Sequence, residues 1–382
     1  TAKVQFGVDA NSIDCERIAV VRGRVLDRTG TPLSGVRVEA LGAPRFGATF
    51  TRADGAFDFV LDAGQRALLA FSKSGYFRAQ RTVGLLSGQF AAIEDLVLVA
   101  PDAQVSAIDA SAGSAAQVAR GSVVTDASGT RQTTLLFPAG TTATLRLPGG
   151  GSQPIPSLQV RATEYSVGSA GPRSVPGTWP KEFTYGYAVE LSVDAAEAAG
   201  AQVEFSAPVA LYVENFLAAA VGNTVNLAYL DRSTSAWVPA PSGRIVKVLS
   251  VTAALADLDI TGGGQPASTE ELAALGIGDA ERQQLAVLYP VGQVLSRVQV
   301  THFSGWAEGS AKTFSAVSLS SGIRPPPYAA DENKLDLPAI TRADEAIVWL
   351  LRVPRVLVAA IVGAGLAMAG AIMQSLFRNP LA

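Results

Sequence analysis

Apolar residues fall on alternate positions through much of the first hundred residues of the chain. Between residues 17 and 83 these alternating positions are Val21, Gly23, Val25, Val36, Val38, Phe57, Phe59, Leu69 and Phe71. A period of two places them on one face of an extended chain, as in half-buried strands. The segments D-R-T-G-T-P at 27–32 and D-G at 54–55 supply turn residues between the runs. The pattern predicts a small antiparallel sandwich of about seven short strands.

The alternation returns after residue 123 and is interrupted by two helical signals. Residues 158–167 read L-Q-V-R-A-T-E-Y-S-V, and residues 185–193 read Y-G-Y-A-V-E-L-S-V. The segment S-T-E-E at 268–271 is a capping box that begins a short helix, and Asp279 is expected to cap a second one. We therefore expect a mainly β fold of tandem sandwich-like modules, with two short helices near 269–289.

Changes in composition divide the chain into five predicted parts. Residues 1–100 form the first sandwich, 101–122 an Ala/Ser/Asp-rich linker, and 123–306 a second β-rich region. Residues 307–345, which contain three consecutive prolines, are predicted to be a linker or a fusion junction, and 346–382 a membrane helix with the loop that follows it.

The membrane helix is predicted from an uncharged run at 356–373. As a helix the run is about 27 Å long, close to the ~30 Å hydrocarbon core of a bilayer. Its small residues recur every fourth position and form a face suited to close helix packing; they are Ala359, Gly363, Ala367 and Ala371. A buried helix of a soluble protein is the alternative interpretation.

Composition and charge limit the candidate functions. The net charge is −3 and the basic residues are scattered, which argues against nucleic acid as a partner. Cys15 is the single cysteine, so the chain cannot form an internal disulfide or a cysteine-based metal site. Residue 1 is Thr, which is expected of a fragment or a processed chain.

One segment has part of the pattern of a calcium loop. Residues 257–262 read D-L-D-I-T-G, which offers Asp257, Asp259 and Thr261 as alternating oxygen ligands before a glycine. The twelfth position is Ser268 and not the usual glutamate. Calcium is therefore the only candidate cofactor, and a solvated turn before the helix is the competing interpretation.

Two further groups of residues invite functional interpretations. His302 and Ser304 share one face of a predicted strand, but no G-x-S-x-G turn frames the serine, so a histidine packed beside aromatic residues is favoured. Four aromatic residues near one loop resemble a sugar-binding strip, with core packing as the alternative; they are Trp179, Phe183, Tyr185 and Tyr187.

The first module resembles a known family. The segments G-R-V-L-D-R-T-G-T-P-L-S-G-V-R-V at 23–38, T-R-A-D-G-A-F-D-F at 51–59 and K-S-G-Y at 73–76 are similar to the carboxypeptidase regulatory-like (transthyretin-like) domain. The resemblance implies a non-catalytic β-sandwich.

The second β-rich region resembles another family. The segments L-R-L-P-G-G-G at 145–151, L-Y-V-E-N-F-L at 211–217 and V-T-H-F-S-G-W at 300–306 are similar to the region that precedes the repeats in bacterial Rhs/YD-repeat shell proteins. The resemblance implies a scaffold at one end of a β cocoon, with a downstream β-shell as partner.

The end of the chain resembles a third family. The segments R-V-P-R at 352–355 and Q-S-L-F-R-N-P-L-A at 374–382 are similar to iron-siderophore/cobalamin ABC transporter permeases. This implies the membrane, and other permease helices, as partners. Because the second and third resemblances do not fit one architecture, we expect a chimera joined between about 307 and 345.

Taken together, the sequence predicts a non-enzymatic structural and interaction module. Its β region is expected at the cell surface or secreted, and its C-terminal segment in the inner membrane. A permease subunit for membrane transport and a surface carbohydrate-binding protein are the alternatives.

Overall fold

The computed structural model describes residues 4–64, 66–179 and 186–309. These residues belong to one compact unit, Thr1–Pro325; a second unit is Pro326–Ala382. The predictions for the C-terminal helix, including Ala359, Gly363, Ala367 and Ala371, lie outside the described residues.

The N-terminal part is built from nine short strands. They are β1 (Gln5–Phe6), β2 (Ile18–Leu26), β3 (Arg37–Ala40), β4 (Ala48–Phe50), β5 (Ala56–Asp62), β6 (Arg66–Ser72), β7 (Ala79–Gly84), β8 (Phe90–Ala92) and β9 (Leu96–Val97). One sheet has the order β1-β4-β3-β6-β7. The other has the order β5-β2-β8, with β9 also paired to β2. The predicted sandwich is therefore present.

The alternating residues of the sequence form the core between these two sheets. All eight of the predicted apolar side chains, from Val21 to Phe71, have 0 % exposure. Phe57 and Phe71 meet edge to face with ring centroids 5.5 Å apart. Gly23 also points inward, and a Cβ there would lie 2.5 Å from Ile93 Cγ1. Glycine fits this inward position because the opposite side chains fill the space.

The Gln5 side chain joins the two sheets of the sandwich at the edge where β1 and β5 lie. The Gln5 carboxamide on β1 donates from Nε2 to the carbonyl of Val60 on β5 (3.1 Å), and Val60 N–H donates to Gln5 Oε1 (2.8 Å). The amide thus takes the place of a neighbouring strand. This arrangement satisfies backbone groups at the edge of the second sheet.

The remaining strands belong to the C-terminal part of the described unit. They are β10 (Ser106–Asp109), β11 (Gln117–Arg120), β12 (Val124–Asp126), β13 (Gly129–Arg131), β14 (Thr134–Phe137), β15 (Ala143–Arg146), β16 (Ser152–Pro154), β17 (Ser157–Glu164), β18 (Tyr187–Val193), β19 (Gln202–Glu214), β20 (Thr224–Asp231), β21 (Ala236–Thr252), β22 (Leu255–Asp259), β23 (Val294–His302) and β24 (Gly305–Gly309). The helices are α1 (Gly171–Ser174), α2 (Asp194–Ala199), α3 (Thr269–Ala274) and α4 (Asp279–Leu288), and single 3₁₀ turns occupy Pro44–Phe46 and Gly168–Ala170.

Most of these later strands form one nearly closed, barrel-like sheet. Its order is β10-β17-β18-β24-β20-β21-β23-β19-β14-β11. The two end strands meet through side chains: Gln117 exchanges two hydrogen bonds with the backbone of Asp109 (2.8 and 2.7 Å), and Arg120 N–H donates to Ser106 Oγ (3.1 Å). A mainly β fold is confirmed, but this module is a barrel and not the second sandwich that was expected.

The predicted linker contributes to the barrel. Residues 101–122 contain β10 and β11, with Ile108 and Ala119 buried in the barrel interior. The small and polar residues of this stretch hide the period of two that indicates a strand. Small side chains fit where β10 and β11 meet, because large side chains line the barrel elsewhere. The stretch therefore forms two strands of the barrel wall.

The two predicted helices are confirmed as α3 and α4. The Ser268 hydroxyl accepts from Glu271 N–H (3.2 Å), and Glu271 Oε2 accepts from Ser268 N–H (2.8 Å), which is the expected capping box. The second helix has Gly278 as its N-cap, one residue before the expected Asp279. Both helices pack on the outer barrel surface through Leu272 and Leu285.

Candidate functional site

The joint between sandwich and barrel begins at edge strand β7. Gln80 N–H donates to the carbonyl of Pro176 (2.7 Å), and Thr82 N–H donates to Thr178 Oγ1 (3.0 Å). Between them, the Arg81 guanidinium donates to the carbonyl oxygens of Val175 (3.0 Å) and Arg173 (2.9 Å). The segment after α1 therefore covers the edge of the sandwich, which would otherwise be open to another strand.

An ion pair between the buried Glu190 and the partly exposed Arg232 lies next to this covered edge. Glu190, on the outer face of β18, is 1 % exposed. Its Oε2 accepts from Tyr165 Oη (2.6 Å) and from Arg232 Nη2 (2.8 Å). Burial, together with the negative charge of Glu190, raises the pKa of Tyr165 well above its usual value. The phenol consequently stays a neutral donor.

Arg232 links this ion pair to the sandwich. Its Nη1 donates to the carbonyl of Arg78 (2.9 Å), and its own carbonyl accepts from Gln80 Nε2 (2.8 Å). Burial opposes the charge on Arg232, but the carboxylate of Glu190 more than compensates and raises the Arg232 pKa. One charged side chain thus binds both domains.

Apolar side chains surround the joint. The cluster contains Val99, Tyr165, Val175, Ala188, Ala228, Leu230, Trp237 and Ala307, with Trp179 packed against it. Val99 follows the last sandwich strand, and its carbonyl accepts from Phe77 N–H (2.9 Å). Backbone, ionic and apolar contacts together join the sandwich to the barrel.

A second buried polar network lies at one end of the barrel. Arg131, on β13, is 1 % exposed and donates to both oxygens of Asp126 (2.9 and 2.8 Å). Its Nε and Nη2 also donate to Glu164 Oε1 (2.8 and 2.6 Å). The guanidinium carbon lies 4.2 Å from the ring centroid of Phe216, in a cation–π contact. The arginine therefore joins the β12–β13 hairpin to the barrel wall.

The interior beside this network contains two more buried polar groups. The Tyr187 hydroxyl hydrogen-bonds Thr133 Oγ1. Glu308, on β24, accepts from Ser296 Oγ at 2.5 Å, and burial raises the Glu308 pKa to about 7 although that hydrogen bond opposes the shift. This end of the barrel is polar, whereas the rest of its interior is apolar.

Of the calcium candidates, Asp257 and Asp259 lie at the end of β22 and Thr261 lies in the turn that follows, but internal donors occupy both carboxylates. Asp257 accepts from Thr252 Oγ1 (2.7 Å), Ser250 Oγ (2.7 Å) and Arg282 Nη2 (3.0 Å). Asp259 accepts from the backbone N–H groups of Thr261 (2.9 Å), Gly262 (2.7 Å) and Gly264 (2.7 Å).

Burial opposes the ionisation of Asp259, but these three N–H groups outweigh it and lower the Asp259 pKa. Within the described ranges no group of three or more His, Cys, Asp and Glu side chains is arranged to hold a metal. Calcium binding at this turn stays a prediction.

His302 lies within an aromatic group, as the sequence favoured. Its ring centroid is 4.6 Å from that of Tyr229 and 5.0 Å from that of Trp306. Ser304 Oγ is 3.4 Å from His302 Nε2, a long contact. Glu204 faces His302 across the ladder, but its carboxylate pairs with Arg146 at 2.8 Å. This geometry matches a packed histidine better than a catalytic base.

The predicted aromatic strip is divided by the barrel wall. Trp179 packs edge to face on Trp237 at the joint, with centroids 5.3 Å apart. Tyr187 points into the barrel and is 1 % exposed. Phe183 and Tyr185 lie outside the described residues. The two described members therefore do not share one sugar-binding surface.

The buried charges of the joint and of the barrel end were missed from the sequence. Glu190 lies at a polar position of an alternating strand, which predicts a solvated face, and Arg131 lies in a turn-rich stretch. The sequence feature that could have revealed such residues is a single charge within an otherwise apolar strand, as in Y-A-V-E-L-S-V and G-W-A-E-G. Such charges need buried partners when both faces of a strand are covered.

Comparison with known proteins shows what the sandwich is similar to. Residues 13–98 match the family described as the Teneurin TTR-like domain. Teneurin-1 of Mus musculus is 38% identical over 87 residues, which are 23% of this chain and 3% of that protein. Teneurin-1 of Gallus gallus is 33% identical over 100 residues, or 26% of this chain and 4% of that protein. The chain thus spans only a few per cent of these relatives.

The match corrects the two β-region assignments made from the sequence. The first module is similar to the teneurin TTR-like domain and not to the carboxypeptidase regulatory-like domain. The Rhs/YD-repeat assignment of the second region is likewise unsupported, since the relatives are teneurins that align with the sandwich. Short alternating strands and D-G or T-G-T-P turns recur in many β domains, so these motifs did not discriminate between families.

The other comparisons add little about the described fold. A 3-chlorocatechol 1,2-dioxygenase from Rhodococcus opacus 1CP superposes with a TM-score of 0.19 and 10% identity, covering 24% of this chain and 63% of that one. This value is too low to support an argument. Residues 315–382 match the FecCD transport family, but they lie outside the described residues. None of the helices in the described ranges is long and apolar enough to cross a bilayer.

Proposed function

We propose that the described part of the chain is a non-catalytic structural and interaction module, in which the TTR-like sandwich is mounted rigidly on the barrel. The joint at β7 carries this proposal. An edge strand covered by backbone contacts and the Glu190–Arg232 pair fix an orientation that a flexible linker would leave free. The similarity of residues 13–98 to a teneurin domain supports a structural role.

We further propose a location at the cell surface for this β region, which agrees with its similarity to teneurins. The activities of whole teneurins do not follow, because the aligned segment is 3% to 4% of their length. The module would present its outer sandwich face at a set distance and angle from the barrel. A fixed geometry of this kind reduces the entropy lost when a partner binds.

Distance measurements on the full chain test the rigid joint. Cys15 is the single cysteine and is exposed on the sandwich. A second cysteine from Gln283→Cys, at an exposed position of α4, completes a pair of spin labels. We expect one narrow distance distribution. A broad or two-peaked distribution in the unaltered joint would contradict the proposal.

Two substitutions sharpen this test. Arg232→Ala removes the ion pair with Glu190 and the hydrogen bond to the Arg78 carbonyl, and should broaden the distribution. Arg146→Ala removes an exposed arginine of the barrel, remote from the joint, and should leave the distribution unchanged. Similar behaviour of the two variants would show that the ion pair does not set the orientation.

A second candidate function, membrane transport, is favoured by the match of residues 315–382 to the FecCD transport family. In this case the C-terminal segment would enter the membrane and contact other helices. Alkaline carbonate extraction of membranes that contain the full chain tests this. Retention in the pellet would support insertion, and complete release would exclude it.

A further inference from the structure

Glu308 is the buried carboxyl group with the fewest partners in the polar end of the barrel. Its residue exposure is 6 %. One oxygen, Oε2, accepts from Ser296 Oγ at 2.5 Å. The other oxygen, Oε1, has no hydrogen-bond partner among the described residues. An ionised carboxylate in such a place lacks both the water and the cation that normally stabilise it.

The groups around Glu308 do not supply a positive charge. Tyr187 on β18 faces it across the ladder and hydrogen-bonds Thr133. Beyond Tyr187 lie Glu164 and Arg131, whose opposite charges are already paired with each other. On its other two sides, β20 places apolar Leu227 opposite Glu308 and β23 places neutral Ser296 beside it. None of the three strands packed against Glu308 therefore places a positive charge beside its carboxyl group.

The strand that carries Glu308 holds two parts of the barrel together. β24 pairs with β18 on one side, where Glu308 lies opposite Tyr187, and with β20 on the other, where it lies opposite Leu227. Within the described residues, the only backbone ladder that joins β18 to β20 runs through β24. Release of β24 would therefore open the barrel wall.

We propose that Glu308 is a proton-controlled latch of the barrel. With its proton, the carboxyl group is neutral, and β24 stays paired with both neighbours. Without it, a buried negative charge has no cation beside it, and movement of the strand that brings this charge into water becomes favourable. The device makes the closure of the barrel depend on pH near neutrality, where ordinary glutamates do not titrate.

The direction of the effect follows from proton linkage. The Glu308 pKa is about 7 in the folded chain, against an ordinary value of 4.5. The folded state therefore binds more protons than the unfolded state between these values, so stability is fully present below 4.5 and is lost as the pH rises through 7. This difference makes the folding equilibrium constant roughly thirtyfold smaller at pH 8 than at pH 5.5.

The test measures unfolding of the full chain in urea between pH 5.5 and pH 8. It compares the unaltered protein with Glu308→Gln, Ser296→Ala and Glu270→Gln. Hydrogen exchange of the peptide that contains β24 is followed over the same range. His302, the single histidine, contributes a pH dependence of stability of the opposite sign, because burial lowers its pKa. Every variant contains His302, so this contribution cancels when the variants are compared.

Three results are expected. Glu308→Gln, which keeps the shape but cannot ionise, should abolish the roughly thirtyfold decrease and protect β24 at pH 8. Ser296→Ala removes the hydrogen bond that stabilises the anion, so the loss of stability should extend to higher pH. The control Glu270→Gln, at an exposed position of α3, should follow the unaltered protein.

The proposal is overturned if Glu308→Gln keeps the original pH dependence, or if exchange at β24 does not increase with pH beyond the intrinsic rate. If Glu308→Gln does not fold, the Ser296→Ala comparison decides alone. The latch would be refuted if Ser296→Ala lost stability at the same pH as the unaltered protein, or at a lower pH.

Discussion

The buried Arg131 allows a quantitative prediction about the end of the barrel. Arg131→Met keeps much of the side-chain volume but removes four charge-assisted hydrogen bonds, two to Asp126 and two to Glu164. The Glu164 side chain remains 5% exposed and that of Asp126 12% exposed. Breaking a buried ion pair from one side costs about 3–5 kcal/mol, because the other charge is left without compensation. We expect a loss of this size.

Urea unfolding followed by tryptophan fluorescence measures this loss. Trp237 and Trp306 are buried in the described barrel region, so their emission reports on the part of the chain that contains Arg131. The control Arg146→Met breaks an exposed pair, with side chains 55% and 45% exposed, and should cost less than about 1 kcal/mol.

A double variant separates charge from packing. Arg131→Met combined with Glu164→Gln removes one uncompensated carboxylate, so it should recover part of the loss caused by Arg131→Met alone. Arg131 also lowers the Asp126 pKa through its hydrogen bonds. That contribution is present above the ordinary value of 3.8 and is lost as the pH falls below it, so Arg131→Met should be less sensitive to acid. A loss below about 1 kcal/mol, or no recovery in the double variant, would refute the buried network.

Three further predictions concern the sandwich edge and the calcium candidate. Gln5→Leu removes the amide that satisfies β5 and should cost about 1–2 kcal/mol, measured by unfolding with a fluorescent label on Cys15. Gly47→Ala should cost about 1–3 kcal/mol in the same assay, because Gly47 has φ +63° and a Cβ there would lie 2.0 Å from the Phe6 carbonyl oxygen; an unchanged midpoint would show that β1 moves freely. Because donors already occupy Asp259, calorimetry with millimolar calcium should give no binding heat, and a saturable heat would establish the calcium site.

The sandwich was the most predictable part of the molecule. Its apolar side chains alternate cleanly, and the turns at Asp27 and Gly55 contain the residues that such turns require. The Asp27 carboxylate accepts from the backbone N–H groups of Thr29 (2.8 Å) and Thr31 (2.9 Å), as a D-x-T-x-T turn favours. Local chemistry determined this structure, so local sequence was enough to predict it.

The barrel was predictable as strands but not as a closed sheet. Alternation indicates which face of a strand is buried but contains no information on strand order or on closure. The long strand β21 pairs with β20, β22 and β23. Alternation within one strand does not reveal how many partners the strand has or which they are. The expectation of a second sandwich failed for this reason.

The charged residues of the candidate sites required the tertiary structure. Glu190 and Arg232 are 42 residues apart and meet because β18 and β20 both pair with β24. Glu308 follows an apolar tryptophan by two positions, which marks it as inward-facing, but its missing partner depends on three other strands. Sequence patterns predict faces, whereas the pairing of buried charges is a property of the assembled fold.

The seam between β10 and β11 sets the barrel apart from a fully hydrogen-bonded cylinder. A carboxamide and a hydroxyl make hydrogen bonds there in place of a backbone ladder. Substitution of Gln117 or Ser106 is therefore expected to loosen the wall along this line without removing a ladder hydrogen bond from any strand.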